Sequence, residues 1–116
     1  MNRPLFIAAL TGFAIVALGA FGAHGLDGQL SDKAKGWWAT ASHYGLAHSV
    51  AALALALSGG RGRAALVMCL GVFLFSGSLY AMALGAPSWF GAITPLGGGS
   101  FLAGWALAGW SARAAR

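Results

Sequence analysis

Four apolar segments of about twenty residues each constrain the fold of this chain more than any other feature. They cover roughly residues 4–23, 39–58, 63–84 and 90–111, and the connections between them are short. Each is close to the length that a helix needs to cross the hydrocarbon core of a bilayer. Lipid offers the backbone no hydrogen-bond partners, and the alternation typical of strands is absent. The sequence therefore predicts an all-α membrane protein, a four-transmembrane-helix bundle in which residues 1–116 form a single domain.

The composition supports a protein embedded in a bilayer. Of 116 residues, 59% are hydrophobic and only 8% are charged, which is too few charges to cover a soluble domain. The net charge of +5 comes from basic residues placed singly at the ends of apolar runs. This pattern is typical of membrane-flanking charges and disfavours nucleic acid as a partner. The single cysteine, Cys69, is interpreted as a small core residue, and the first segment as a retained helix rather than a cleaved signal.

The connections carry recognisable turn and capping signals. Residues 58–62 (SGGRG) and 85–89 (GAPSW) read as tight turns, the second with Pro87 as a helix stop. The longest connection, residues 24–38, contains both carboxylates of the chain. Within it, Ser31 is a candidate N-cap for a short interfacial helix or for a helix that continues into the second segment.

The distribution of charge predicts an orientation. One predicted side of the membrane carries Arg3, Arg61, Arg63, Arg113 and Arg116. The opposite side carries Lys33 and Lys35, whose charges are offset by Asp27 and Asp32. The excess of arginine predicts that both termini are cytoplasmic. In that orientation the aromatic belts are Trp37, Trp38 and Trp89 at the outer interface and Trp110 near the inner one.

Polar side chains concentrate in the outer half of the predicted bundle. The candidate ligand-binding residues are His24, Tyr44, His48, Ser76, Ser78, Tyr80 and Thr94. A polar patch built by all four helices at one depth suggests a small cavity that opens toward the outside. The alternative is an internal hydrogen-bond network, because serine and threonine often bond to carbonyls of their own helix. His48 is the strongest candidate, about nine residues into its predicted helix, since an ionisable ring at that depth indicates function.

The fourth segment contains a break. Pro95 removes a backbone donor, and the glycines at 97–99 permit close approach of another backbone. The fourth helix is therefore expected to begin in earnest only after Thr94. Such an interruption either leaves free backbone groups near the polar patch or is a plain kink.

Four ordered motifs together resemble a known family. They are GAFGAHGL (19–26), Tyr44 with His48, FSGSLY (75–80) and GAITPLGG (91–98). With these motifs the chain resembles the family called domain of unknown function 423, small membrane proteins of bacteria with eukaryotic relatives. The resemblance implies a multi-pass bacterial inner-membrane protein of unknown biochemical function. It supplies no catalytic or binding residues that could be transferred to this sequence.

Several classes of function stay open at this point. The first is a binding or transport module for a small polar solute, lipid headgroup or ion, and the second is a structural or accessory subunit of a larger membrane complex. A metal or haem centre held by His24 and His48 lacks any thiolate or carboxylate ligand. An enzyme built on Ser76 or Ser78 with His48 lacks a carboxylate partner within the spans. We expect no enzyme activity, no metal and no cofactor; the expected partners are the lipid bilayer and a homo-oligomer or larger complex.

Overall fold

The described part of the chain forms four α-helices and one short 3-10 helix. In the computed structural model, which describes residues 1–113, the α-helices are α1 (Arg3–His24), α2 (Asp32–Leu57), α3 (Gly62–Ala83) and α4 (Thr94–Ser111). The 3-10 helix, Ser88–Ala92, lies between α3 and α4. No strand occurs within residues 1–113, so the all-helical prediction is confirmed for the part of the chain that the structure describes. Arg116, part of the orientation argument, lies outside the described residues.

The helix boundaries follow local chemistry. The Ser31 side chain accepts a hydrogen bond from the backbone N–H of Ala34 at 3.1 Å, and α2 runs without interruption from Asp32. Of the two alternatives for this capping signal, the helix that continues into the second segment is the one formed. As a result, His48 lies sixteen residues from the start of α2 instead of nine. In the fourth segment, α4 begins at Thr94 as expected, and the 3-10 helix occupies the residues before it.

Two side-chain hydrogen bonds show that the start of the chain, the end of α2, the start of α3 and the end of α4 lie at the same end of the bundle. Asn2 at the start of α1 donates from Nδ2 to the carbonyl of Ala56 near the end of α2, at 3.1 Å. At the start of α3, Arg61 donates from Nε to the Ser111 hydroxyl at the end of α4, at 2.7 Å. The helices therefore run alternately up and down. Gly59 and Gly60 make the turn between α2 and α3 with φ of 72° and 69°, a conformation that favours glycine.

The third helix is the centre of the bundle. It packs against α1, α2 and α4, and α1 also packs against α2. Glycines permit the closest approaches: a Cβ added at Gly71 would collide with the Phe101 ring, and one added at Gly97 would collide with the backbone of Phe75. By contrast, α1 buries only Ala8 and Ile15. The helix pairs α2–α3 and α3–α4 therefore form the tightly packed part of the structure.

Two of the four helices are long and apolar enough on their own to cross a membrane, by length and composition only. These are α1 and α3. The other two fall short for chemical reasons: α2 carries charges in its first turn and two histidines further on, whereas α4 is 18 residues long and rich in glycine and tryptophan.

Trp38 lies inside the bundle, although the sequence predicts it at the outer interface. Its ring is 5% exposed, and its indole N–H donates to the carbonyl of Leu18 at 2.9 Å. The ring fits against α1 because Gly22 has no side chain; a Cβ there would collide with the indole. Trp89, in contrast, is exposed.

Candidate functional site

Tyr44 and His48 lie together on one side of the bundle. They line an open groove of about 480 Å³ between α2 and α4, whose base is formed by α3. We call it the α2–α4 groove; its lining residues are Thr40, Tyr44, His48, Phe75, Gly98, Phe101, Leu102 and Trp105. Tyr44 is 50% exposed and Trp105 is 54% exposed, whereas His48 is only 7% exposed. The groove thus has a buried histidine at its floor and two large aromatic side chains at its rim.

Both ring nitrogens of His48 have partners. Nδ1 lies 2.7 Å from the carbonyl oxygen of Tyr44, and the indole N–H of Trp105 donates to Nε2 at 3.0 Å. A carbonyl only accepts and an indole N–H only donates, so the proton is assigned to Nδ1 and the ring to its neutral form. The Nε2 lone pair is therefore already engaged by Trp105.

Aromatic stacking holds this histidine in place. The His48 and Phe101 rings are nearly parallel, with centroids 3.7 Å apart. Tyr44 lies parallel to His48 with a centroid separation of 6.1 Å, and Phe75 approaches Tyr44 to 5.0 Å. The stacked rings of His48 and Phe101 thus form the floor of the groove, with Tyr44 and Phe75 packed against them.

The predicted site residues on α3 do not join this groove; they bond to the neighbouring helices instead. Ser76 donates to the Ala41 carbonyl at 2.6 Å, and the Tyr80 hydroxyl lies 2.7 Å from that of Ser42. Ser78 faces α4, with its hydroxyl 2.5 Å from that of Thr94. Within residues 1–113, no buried side-chain nitrogen or oxygen lacks a hydrogen-bond partner. These residues form interhelical bonds of the kind expected from an internal network.

His24 stands apart from the other candidates. It is the last residue of α1, and its side chain is exposed at the opposite end of the bundle from Asn2. The described residues contain no group of three or more His, Cys, Asp or Glu side chains placed to hold a metal ion. A centre held by His24 and His48 would also need the Nε2 lone pair that Trp105 engages.

Six of the eight lining residues were missed by the sequence reasoning. They are Thr40, Phe75, Gly98, Phe101, Leu102 and Trp105. One signal was available: Trp105 lies inside an apolar segment instead of at its end, where membrane tryptophans concentrate. Its spacing of four residues from Phe101 also puts both rings on one helix face.

A family model and several individual relatives all match this chain over most of its length. A family model described as "Protein of unknown function (DUF423)" matches residues 18–98. The chain is 49% identical over 109 residues to a UPF0382 membrane protein of Haemophilus influenzae, covering 90% of this chain and 88% of the relative. It is 44% identical over 109 residues to the UPF0382 inner membrane protein YgdD of Escherichia coli K12, covering 89% and 83%. A UPF0382 membrane protein of Staphylococcus haemolyticus is 41% identical over 112 residues, covering 92% of each chain. No solved structure matches the chain.

Proposed function

Because the chain belongs to the DUF423 family and the relatives described above are named as membrane proteins, we propose that it is a non-enzymatic protein of the bacterial inner membrane. All four helices cross the bilayer, and both termini are cytoplasmic. The protein binds a membrane-soluble amphiphile in the α2–α4 groove.

The lengths of the helices and the position of the arginines support four spans. At 1.5 Å per residue, α2 with 26 residues is about 39 Å long and α4 with 18 residues is about 27 Å long. Both are near the thickness of the hydrocarbon core, and α2 exceeds it by its charged first turns. Large apolar side chains on α4, such as Leu96 and Leu107, are exposed in the isolated chain and would face lipid. The end of the bundle that holds Arg3, Arg61 and Arg113 is the cytoplasmic end.

The observation that carries the binding function is a pair of hydroxyl groups without partners. Thr40 and Tyr44 are one turn apart on α2, and both line the α2–α4 groove. Both side chains are exposed, Tyr44 by 50%, and neither hydroxyl bonds to another group within residues 1–113, whereas the buried polar side chains there are all satisfied. A hydroxyl in hydrocarbon without a partner costs free energy, which a bound molecule with an acceptor would recover.

Filling the groove tests this proposal. Gly98 lines it and has no heavy atom within 4 Å of an added Cβ, so the side chain of Gly98→Leu starts from open space in the groove. The matched control is Gly99→Leu, since Gly99 also has open space but lies outside the groove lining. Native mass spectra of protein gently extracted from its own membrane should show an added mass in wild type and in Gly99→Leu that Gly98→Leu loses. A bare chain in all three samples would refute a tightly held ligand.

A structural or accessory role is the second candidate, as a homo-oligomer or as a subunit of a larger membrane complex. It is favoured by the interior bonds of Ser76, Ser78 and Tyr80, which tie the helices together and occupy the hydroxyls of these three residues. If this role is correct, His48→Ala would change the stability or the association of the protein, and wild type would carry no bound ligand. The two candidates therefore differ in whether the added mass exists in wild type.

The arrangement of the serines supports a non-enzymatic protein. Ser76 and Ser78 bond to Ala41 and Thr94, and neither is bonded to His48. Both nitrogens of His48 are engaged, and the only acidic residues, Asp27 and Asp32, lie outside the segments that we assign to the hydrocarbon. The groups needed for nucleophilic catalysis are therefore not assembled. Nucleic acid is not a partner in this proposal.

A further inference from the structure

One face of α2 carries a graded series of side chains above the groove. Lys33, Trp37, Thr40, Tyr44 and His48 recur every three or four residues, so they share one helix face. At 1.5 Å per residue, Lys33 lies about 16 Å along the helix from Tyr44, toward the end of the bundle opposite the arginines. Along this face the chemistry changes from a cation, through an indole and two hydroxyls, to a buried aromatic floor.

The Lys33 ammonium is held over an aromatic ring on the same face of α2. It lies 5.3 Å from the centroid of the Trp37 ring, one turn further along α2. This contact holds the charge at the level of Trp37, three residues before Thr40 on the helix. Asp32 is the adjacent residue, but it projects about 100° away around the helix. Lys35 lies on the opposite face and lines a separate groove between α1 and α2.

We propose that the occupant of the α2–α4 groove is a diacyl phospholipid of the outer leaflet. This inference rests on the proposed function and names the ligand class. Lys33 contacts the phosphate, the Thr40 and Tyr44 hydroxyls donate to the ester carbonyl oxygens, and one acyl chain lies along Phe101 and Trp105. Charge and polarity are complementary, since the order of groups on α2 is the order of phosphate, ester and hydrocarbon in such a lipid.

The test titrates delipidated full-length protein with two defined lipids by native mass spectrometry. One is dipalmitoyl phosphatidylglycerol, and the other is its dihexadecyl ether analogue, which keeps the phosphate and the chains but lacks ester carbonyls. Wild type should bind the diester more tightly than the diether, by about fivefold for each hydroxyl contact. Tyr44→Phe should lose about fivefold for the diester and little for the diether.

Charge variants and the groove-filling variant complete the design. Lys33→Gln should weaken both lipids equally, whereas its control Lys35→Gln should bind like wild type. Circular dichroism before titration selects variants that keep the wild-type helix content. If Tyr44→Phe and Lys33→Gln bind both lipids like wild type while Gly98→Leu does not, the phospholipid assignment is overturned and a binding groove remains. If Gly98→Leu also binds like wild type, the groove is not the site and both proposals fail.

Discussion

Replacing Gly97 with alanine should destabilise the bundle far more than the same change at its neighbour Gly98. Gly97 packs directly on the α3 backbone: an added Cβ would collide with the amide nitrogen of Phe75 and lie 2.6 Å from its Cβ and 2.7 Å from its Cα. Ordinary carbon contacts are about 3.5–4 Å, so α4 would have to move away from α3 by about 1 Å. Backbone atoms cannot turn aside, which puts the cost near the upper end of overpacking, about 3 kcal/mol.

Alanine at the two neighbouring glycines should instead raise the unfolding free energy. Neither Gly98 nor Gly99 has a heavy atom within 4 Å of an added Cβ, and neither has a positive φ. Alanine there should stabilise α4 by about 1 kcal/mol through helix propensity alone. The difference in unfolding free energy between Gly97→Ala and Gly98→Ala is therefore about 4 kcal/mol. The sequence alone does not distinguish these two positions, because both belong to one run of three glycines.

The assay is reversible unfolding in mixed micelles, with increasing denaturing detergent and circular dichroism as the readout. Gly97→Ala should unfold at a clearly lower detergent fraction than wild type, and the two control variants at an equal or higher one. If Gly97→Ala and Gly98→Ala unfold within about 1 kcal/mol of each other, the close contact between α3 and α4 is refuted.

Three further outcomes are expected. Trp105→Phe should lower the unfolding free energy by about 1–2 kcal/mol, because it removes the hydrogen-bond partner of the buried His48 Nε2. The control Trp110→Phe, at an exposed position, should not lower it, and unfolding in mixed micelles measures both variants. Ser31→Ala should lower the helix content or stability of α2 by about 1 kcal/mol through loss of its N-cap, measured by circular dichroism with thermal melting. With both termini cytoplasmic, alkaline phosphatase should be active when fused after Gly28 and inactive at the C-terminus, and equal activity at both would contradict the orientation.

Much of the backbone followed from local patterns in the sequence. The bounds of α1 and α3 lie within one residue of the predicted ones because each is a continuous apolar run with a clear start and stop. The continuation of α2 back to Asp32 and the start of α4 at Thr94 each depend on one local signal, the Ser31 cap and Pro95.

The site was less predictable because it depends on which helix faces meet. Ser76, Ser78 and Tyr80 are two residues apart, so each points about 200° from the previous one around α3. They therefore reach α2, α4 and α2 in turn, instead of converging on one cavity. Tyr44 and His48 could be paired by their spacing, but the approach of Trp105 to His48 depends on the glycine contacts between α3 and α4.

The central position of α3 has a consequence for the order of assembly. During synthesis, α1 and α2 emerge before α3, and the contacts they can form at that stage include the bond from Asn2 to Ala56 and the seating of Trp38 against Gly22 and the Leu18 carbonyl. Gly62–Ala83 contacts each of the other three α-helices, so the remaining interfaces form only once α3 is present. Until then, the Ser42 hydroxyl lacks its partner Tyr80, and α4 lacks the α3 surface against which Gly97 packs.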